Sequence, residues 1–220
     1  TVSEKYAEEI CSTEEFGCCL EGVLQKRKSH LHGIINGIDY NIWNPETDEL
    51  IVKRYDMRTL EGKQDNKKEL LAKFGLAYKV NVPLVGIISR LVDQKGLDLI
   101  KEIADDFMKL DVQFVMLAAG EKRYQDYFES LHKKYAAKMG LFIGYNDELA
   151  HLIEAGCDMY LMPSRYEPCG LNQLYSLKYG TVLIVRATGG LYDTIHDVEN
   201  GNGNGFKFKK YYCKELFKTI

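Results

Sequence analysis

Pro163–Asp193 reads PSRYEPCGLNQLYSLKYGTVLIVRATGGLYD, and its punctuation decides the fold. The apolar segment Asp158–Met162 just before it has the composition of a buried strand. A loop with Arg165, Glu167 and Cys169 follows, and Gly170 opens a helix over Leu171–Lys178. A second strand, Val182–Val185, leads to Thr188-Gly189-Gly190 and another helix start. Two strand–loop–helix units therefore stand side by side, each with glycine at the turn. In a parallel sheet such loops lie at the carboxyl ends of the strands, where ligands bind. Backbone N–H groups at helix starts lack partners and carry partial positive charge, which suits phosphate. Glu167 shares that neighbourhood. Phosphate donors beside one acid point to chemistry on a phosphorylated, positively polarised carbon. Glycine is also ordinary punctuation at such turns, so the spacing alone leaves both readings open.

The same alternation extends upstream. Val82–Ser89 is a near-continuous apolar run, the mark of a strand covered on both faces. Ser89-Arg90-Leu91-Val92-Asp93-Gln94-Lys95-Gly96 follows. A helix then carries Leu97, Ile100, Ile103, Ala104 and Phe107 on one face. Val112–Ala119 is a second strand, Lys122–Met139 a long amphipathic helix and Leu141–Gly144 a third strand. Asp147 caps a helix that ends near Gly156. Beyond the quoted stretch, Gly205–Phe208 is a last short strand, and a helix carries Leu216, Phe217 and Ile220. The fold class is α/β, a Rossmann-like parallel sheet with helices on both faces and right-handed crossovers.

The leading part is less regular. Phe16, Leu20, Val23 and Leu24 recur at helical spacing, which predicts one helix up to Lys28 after a short lead. His32–Asn36 reads as a short strand ending in the turn pair Asn36-Gly37. Trp43, the single tryptophan, packs under the irregular chain that follows. Asp48–Gln64 is polar and without period. Asp65 is placed to cap a helix over Asn66–Phe74, which Gly75 ends.

Composition narrows the function classes. With 220 residues, 45% of them apolar, the chain can bury a sizeable core. A net charge of −3 argues against a dedicated nucleic-acid binder. No apolar run is long enough to span a membrane. Six cysteines form no CxxC pair, so they read as reduced thiols of a cytoplasmic protein. The five histidines show no metal-ligand spacing.

Several residues carry chemistry. Arg90 and Lys95 lie just past a buried strand, in a short loop that Gly96 frees to turn. They are either two halves of a diphosphate clamp or ordinary surface charges. Glu167 sits in a loop stiffened by Pro168, placed either to stabilise positive charge or to pair within the loop. Cys169 has no histidine nearby to make it a thiolate nucleophile, so a lining role fits better. Tyr145, past the third strand, is placed to stack a base or simply to pack.

SRLVDQKGLDLI, IGYNDELAHLIEAGCDMYLMPSRYEPCGLNQLYSLKYGTVLIVRATGGLYDTI and GIINGIDYNIWNPETD together resemble bacterial glycogen synthase and plant starch synthase over nearly the whole chain. The resemblance implies a GT-B glycosyltransferase, two Rossmann-like domains facing each other across a cleft. Residues 1–35 then correspond to the tail of the N-terminal domain and the hinge. Residues 36–220 correspond to the C-terminal nucleotide-sugar-binding domain, cut before its final helices. The implied reaction is retaining transfer of glucose from ADP-glucose to the non-reducing end of an α-1,4-glucan, releasing ADP, with no cofactor or metal. By motif, Arg90 and Lys95 bind the diphosphate and Glu167 lies near the transferred glucose. Cys169 lines that pocket. The backbone of Gly170, Leu171 and Asn172, and the turn at Gly189 and Gly190, meet phosphate or sugar. Tyr145 contacts adenine, and Asn36 lines the cleft at the domain boundary. Tyr175 stands eight positions after Glu167, where sucrose- and trehalose-forming relatives carry a second glutamate. This favours the glycogen and starch synthase branch. The implied partners are sugar nucleotide, glucan and the N-terminal domain, with no nucleic acid or membrane. The implied compartment is the cytoplasm, or the plastid for a plant-type parent. By itself such a half should fold and bind nucleotide weakly without transferring glucose. A non-catalytic nucleotide-sugar or glycan-binding module is the second reading. A dehydrogenase-type epimerase falls behind, because no GxGxxG follows Val82–Ser89.

Overall fold

A computed structural model of the chain describes residues 1–199 and 201–220. Six strands form one sheet: β1 (Leu84–Leu91), β2 (Gln113–Gly120), β3 (Met139–Ile143), β4 (Met159–Met162), β5 (Val182–Arg186) and β6 (Gly205–Phe208). All pairings are parallel, in the order β3-β2-β1-β4-β5-β6. This is the doubly wound Rossmann order, and it reverses between β1 and β4, where such sheets open a crevice.

The strands are apolar on both faces because helices cover both. On one face lie α5 (Leu97–Phe107), α6 (Lys122–Lys134) and α10 (Cys213–Thr219). Leu97, Ile100, Ile103, Ala104 and Phe107 of α5 are all buried there against Phe114, Met116 and Leu161. Each of these leucine, isoleucine and phenylalanine side chains contributes about 1.5–3 kcal/mol. On the other face lie α4 (Gly62–Lys73), α7 (Asp147–Gly156), α8 (Asn172–Tyr179) and α9 (Gly189–Thr194). Their core is built from Leu70, Leu71, Leu152, Ile153 and Leu191 against Leu84, Val115, Tyr160 and Val185. An ion pair fixes α4 to the sheet: buried Lys67 Nζ lies 2.6 Å from Asp158 Oδ2, which also accepts from Leu84 N–H at 2.7 Å.

Six boundaries differ from the sequence reading. The first strand is Leu84–Leu91 and not Val82–Ser89, so Arg90 lies near its carboxyl end and not in the loop past it. The helix expected up to Lys28 is instead three short pieces, α1 (Glu4–Glu9), α2 (Glu14–Gly17) and α3 (Glu21–Lys26). Cys18 and Cys19 both adopt positive φ and break it, and Leu20 and Val23 are exposed rather than packed. His32–Asn36 forms no regular element and pairs with no strand of the sheet. Helix α4 starts at Gly62, before the expected Asn66, so Asp65 lies inside it and does not cap it. Its start is held by the loop before it, since Asn66 Oδ1 accepts from the N–H groups of Val52 and Lys53 at 3.0 and 3.1 Å. Helix α6 ends at Lys134, and Met139 instead opens β3. The cap of α7 is Asn146, which accepts from Leu149 N–H at 2.9 Å, and not Asp147.

The polar loop between Gly37 and α4 is anchored by a small separate core of Ile51, Tyr55, Ala155 and Tyr179 with Trp43 against it. Trp43 is sandwiched between His151 at 3.8 Å and Tyr175 at 3.9 Å, both nearly parallel to it. Tyr175, at the position of interest eight residues past Glu167, is thus a stacking partner of the loop.

Candidate active site

The crevice between β1 and β4 holds a cavity of about 420 Å³. Its floor is apolar, from Ile87, Leu117 and Leu161. Its polar wall is Arg90, Lys95, Ser164, Glu167 and the turn Gly170–Asn172, and Tyr145 lies at its rim. Tyr145 is 87% exposed, so its ring is free to cover a ligand.

Lys95 and Glu167 meet inside this wall. Lys95 Nζ lies 2.6 Å from Glu167 Oε2, and Ser164 Oγ donates to the same oxygen at 2.9 Å. The Glu167 side chain is only 7% exposed. The chain reaches this geometry through Gly96, whose φ of +69° turns the loop straight into α5. A Cβ there would lie 2.0 Å from the Pro163 carbonyl oxygen, so only glycine lets the two loops approach. Arg90 is exposed and donates to Gln94 Oε1 at 3.1 Å. Gln94 in turn donates to the Tyr166 carbonyl at 3.1 Å and, through its own carbonyl, accepts from Arg165 N–H at 2.8 Å. Gln94 therefore ties the basic loop to the acidic one.

The two glycine turns have different fates. The α8 start faces the cavity with Gly170, Leu171 and Asn172, and among the described residues no side chain caps it. The first N–H groups of a helix lack intrahelical partners, which suits an anion. Asn172 Nδ2 donates to the Tyr160 hydroxyl and, at 3.3 Å, to the Ile88 carbonyl, which locks this turn to β1 and β4. The α9 start is already filled. Gly189 N–H donates to the Glu9 carboxylate at 3.2 and 3.1 Å, and neither Gly189 nor Gly190 lines the cavity.

Cys169 and Asn36 meet each other outside the cavity lining. Cys169 is buried, and burial pushes its thiol above its ordinary value, against the opposing effect of the Asn36 N–H. A thiol held protonated is a poor nucleophile. At the end of β5, Arg186 is buried and donates through Nε to the Ser164 carbonyl at 2.7 Å and through Nη2 to the Arg165 carbonyl.

Sequence reasoning missed Ser164, Gln94, Arg186 and the pair Asp48–His151. Ser164 and Gln94 lie inside the motifs already singled out, so a search for partners within those loops finds them. Asp48 and His151 are 103 residues apart, with His151 Nδ1 at 2.7 Å from Asp48 Oδ2, and no local pattern joins them. No helix of the described residues is long and apolar enough to cross a membrane. Among the same residues no group of three or more His, Cys, Asp or Glu is placed to hold a metal ion.

The glycogen synthase of Pseudothermotoga lettingae is 50% identical over all of this chain and 46% of its own length. Glycogen synthase 1 of Geobacter sulfurreducens is also 50% identical, over all of this chain and 44% of its own length. The chain thus spans a little under half the length of these curated relatives. Among solved structures, the catalytic domain of starch synthase IV from Arabidopsis thaliana, bound to ADP and acarbose, superposes with a TM-score of 0.93 at 36% identity. It matches all of this chain and 46% of that one. Anabaena HepE in complex with UDP and glucose, at a TM-score of 0.62 and 19% identity over 93% of this chain and 50% of that one, shares the fold. The family described as Glycosyl transferases group 1 matches residues 68–220, a span that takes in all six strands and every polar residue of the cavity wall. By that match, the chain belongs to the glycosyl transferases group 1 family.

Proposed function

We propose that the chain is the donor-side half of a glycogen or starch synthase, which moves glucose from ADP-glucose to the non-reducing end of an α-1,4-glucan with retention of configuration. The observation that carries this reading is the Lys95–Glu167 pair set in a cavity wall with Arg90 and the open start of α8. Cleavage of a sugar–diphosphate bond separates charge: the leaving diphosphate becomes more negative and the sugar carbon more positive. Arg90, Lys95 and the Gly170–Asn172 amides match the first, and the Glu167 carboxylate matches the second. These donors supply the counter-charge themselves, so the reading assigns no cofactor, and ADP is the product. The starch synthase solved with ADP supports adenine over uracil, with exposed Tyr145 as its cover. Asn36 and Cys169 then form the cleft side that faces the acceptor domain.

Retaining transfer needs donor and acceptor held in contact with water excluded, by closure of two walls. The cavity described here is one wall. The chain by itself therefore binds nucleotide weakly and does not elongate glucan, whereas the full-length protein does both. Elongation of a glucan primer by the full-length protein, with ADP-glucose and UDP-glucose as alternative donors, tests the reading. It expects elongation with ADP-glucose and a loss of kcat of roughly a hundredfold or more on changing Arg90 or Lys95 to Ala. No elongation with either donor sinks it.

A further inference from the structure

The α9 start is anchored by a carboxylate from the far end of the chain. Thr188 Oγ1 lies 3.1 Å from both oxygens of Glu9, and Gly189 N–H donates to the same pair. Thr188 is fully buried. Burial raises the Glu9 carboxyl above its ordinary value, while the Gly189 and Thr188 donors and Arg186 pull the other way. Further ties join the leading segment to this side of the sheet: Lys5 N–H donates to Asp193 Oδ2 of α9 at 3.0 Å, and Arg165 Nε, in the loop after β4, lies 2.6 Å from Glu15 Oε1 of α2.

The anchored turn is what the Glu167 loop rests on. Gly190 N–H donates to the Glu167 carbonyl at 3.0 Å. A Cβ on Gly189 would lie 1.9 Å from that carbonyl oxygen, and one on Gly190 would lie 2.0 Å from the Cys169 carbonyl oxygen. Backbone is thus stacked on backbone with no side chain between. A shift of the α9 start passes directly to the main chain of Glu167–Cys169.

We propose that Glu9 is a positioning residue for Glu167: its carboxylate pins the first turn of α9, and that turn sets the place of the loop carrying the acid. This rests on the reading of Glu167 as the group beside the transferred sugar. Glu9 does not line the cavity, so it acts through the backbone and not on a ligand. A displacement of about 1 Å at a reacting group is enough to cost roughly a hundredfold in rate.

The test compares Glu9→Ala, Glu9→Gln and Thr188→Val in the full-length protein. Turnover with ADP-glucose, ADP affinity by calorimetry and amide exchange of residues 186–192 are measured for each. Glu9→Ala is expected to lower kcat roughly tenfold or more while ADP affinity stays within about twofold. Exchange at Gly189 and Gly190 rises, and exchange in β1 and β2 does not. Glu9→Gln keeps an acceptor for Gly189 N–H and recovers most of the turnover. The proposal is overturned by an unchanged kcat in Glu9→Ala, by a parallel fall of kcat and ADP affinity, or by a Gln variant as poor as Ala. If Glu9→Ala does not fold, Thr188→Val, which removes one donor at nearly constant volume, is read by the same criteria. If the unaltered protein transfers no glucose, the functional reading fails on its own. Unchanged protection of Gly189 and Gly190 in Glu9→Ala would then still overturn the clamp.

Discussion

Lys95 Nζ and Glu167 Oε2 lie 2.6 Å apart, and this pair joins the loop after β1 to the loop after β4 across the point where the strand order reverses. Both side chains are largely withdrawn from water, at 19% and 7% exposure. Each charge is thus the other's partner in a largely water-free place, where a lone charge is costly. A diphosphate entering the cavity would share Lys95 with Glu167, so the pair links donor binding to the acid beside the sugar.

Glu167→Gln follows from that link. It keeps the volume and the Ser164 hydrogen bond but removes the negative charge. Turnover should fall by roughly a hundredfold or more, with ADP affinity changed little or slightly improved, because Lys95 is released to the diphosphate. Steady-state kinetics beside ADP titration decides this. A loss of ADP affinity as large as the loss of turnover would place Glu167 on the nucleotide instead.

Cys169→Ser should keep substantial activity. The thiol is buried, burial holds it protonated, and among the described residues no histidine influences it. Mass spectrometry of the protein during turnover should find no sugar adduct on Cys169. A glucosyl–cysteine intermediate would refute the reading of Cys169 as a buried, non-nucleophilic residue beside the cavity.

His151 should matter for stability and for the order of the loop around Trp43. Burial alone would raise the Asp48 carboxyl, but hydrogen bonds from His151, Tyr179 and Leu50 N–H outweigh it and hold it below its ordinary value. Removing one donor from a buried carboxylate costs about 2–3 kcal/mol. His151→Ala also takes away one face of the Trp43 sandwich. Since Trp43 is the single tryptophan, its fluorescence reports this loop directly. A red shift at temperatures where the sheet's circular dichroism is still native is expected. An unchanged emission maximum and midpoint would contradict it.

Glu154 should give the fold a pH dependence. Complete burial pushes its carboxyl up to about 8, against the Ser176 hydrogen bond and the charge of Lys63. The unfolded chain releases this proton near 4.5, so between about pH 4.5 and 8 the folded state binds more protons than the unfolded one. Stability therefore falls as pH rises through that window. Lys63, pushed down to about 8 by burial, acts above the window and in the opposite sense. Glu154→Gln should remove the decline between pH 5 and 8 in denaturant midpoints. A decline of the same slope in the variant would count against a protonated Glu154.

The strands were legible because a sheet covered on both faces needs continuous apolar runs, and Leu84–Ile88 and Phe114–Ala118 have them. Helix α5 was legible because every residue on its predicted face is buried. The leading segment was not. Its helical period is real in the sequence, but a helix in water is held chiefly by packing, and Leu20 and Val23 have no core to enter. His32–Asn36 likewise has strand composition without a strand to pair with. At the site, Arg90, Lys95, Glu167 and Gly170–Asn172 could be named from two short motifs, because each motif is one strand-to-helix turn, local in sequence. The occupation of the second glycine turn by Glu9 could not, since it depends on a residue 180 positions away.

The cavity between β1 and β4 is assigned to a nucleoside diphosphate, and everything proposed for Arg90, Lys95 and Glu167 depends on that. The direct measurement is calorimetric titration of ADP into the chain and into its Arg90→Ala, Lys95→Ala double variant, with the fold of both checked by circular dichroism. Saturable binding to the first, lost in the second while the fold is kept, is the predicted result. Equal ADP binding by both folded proteins would contradict it.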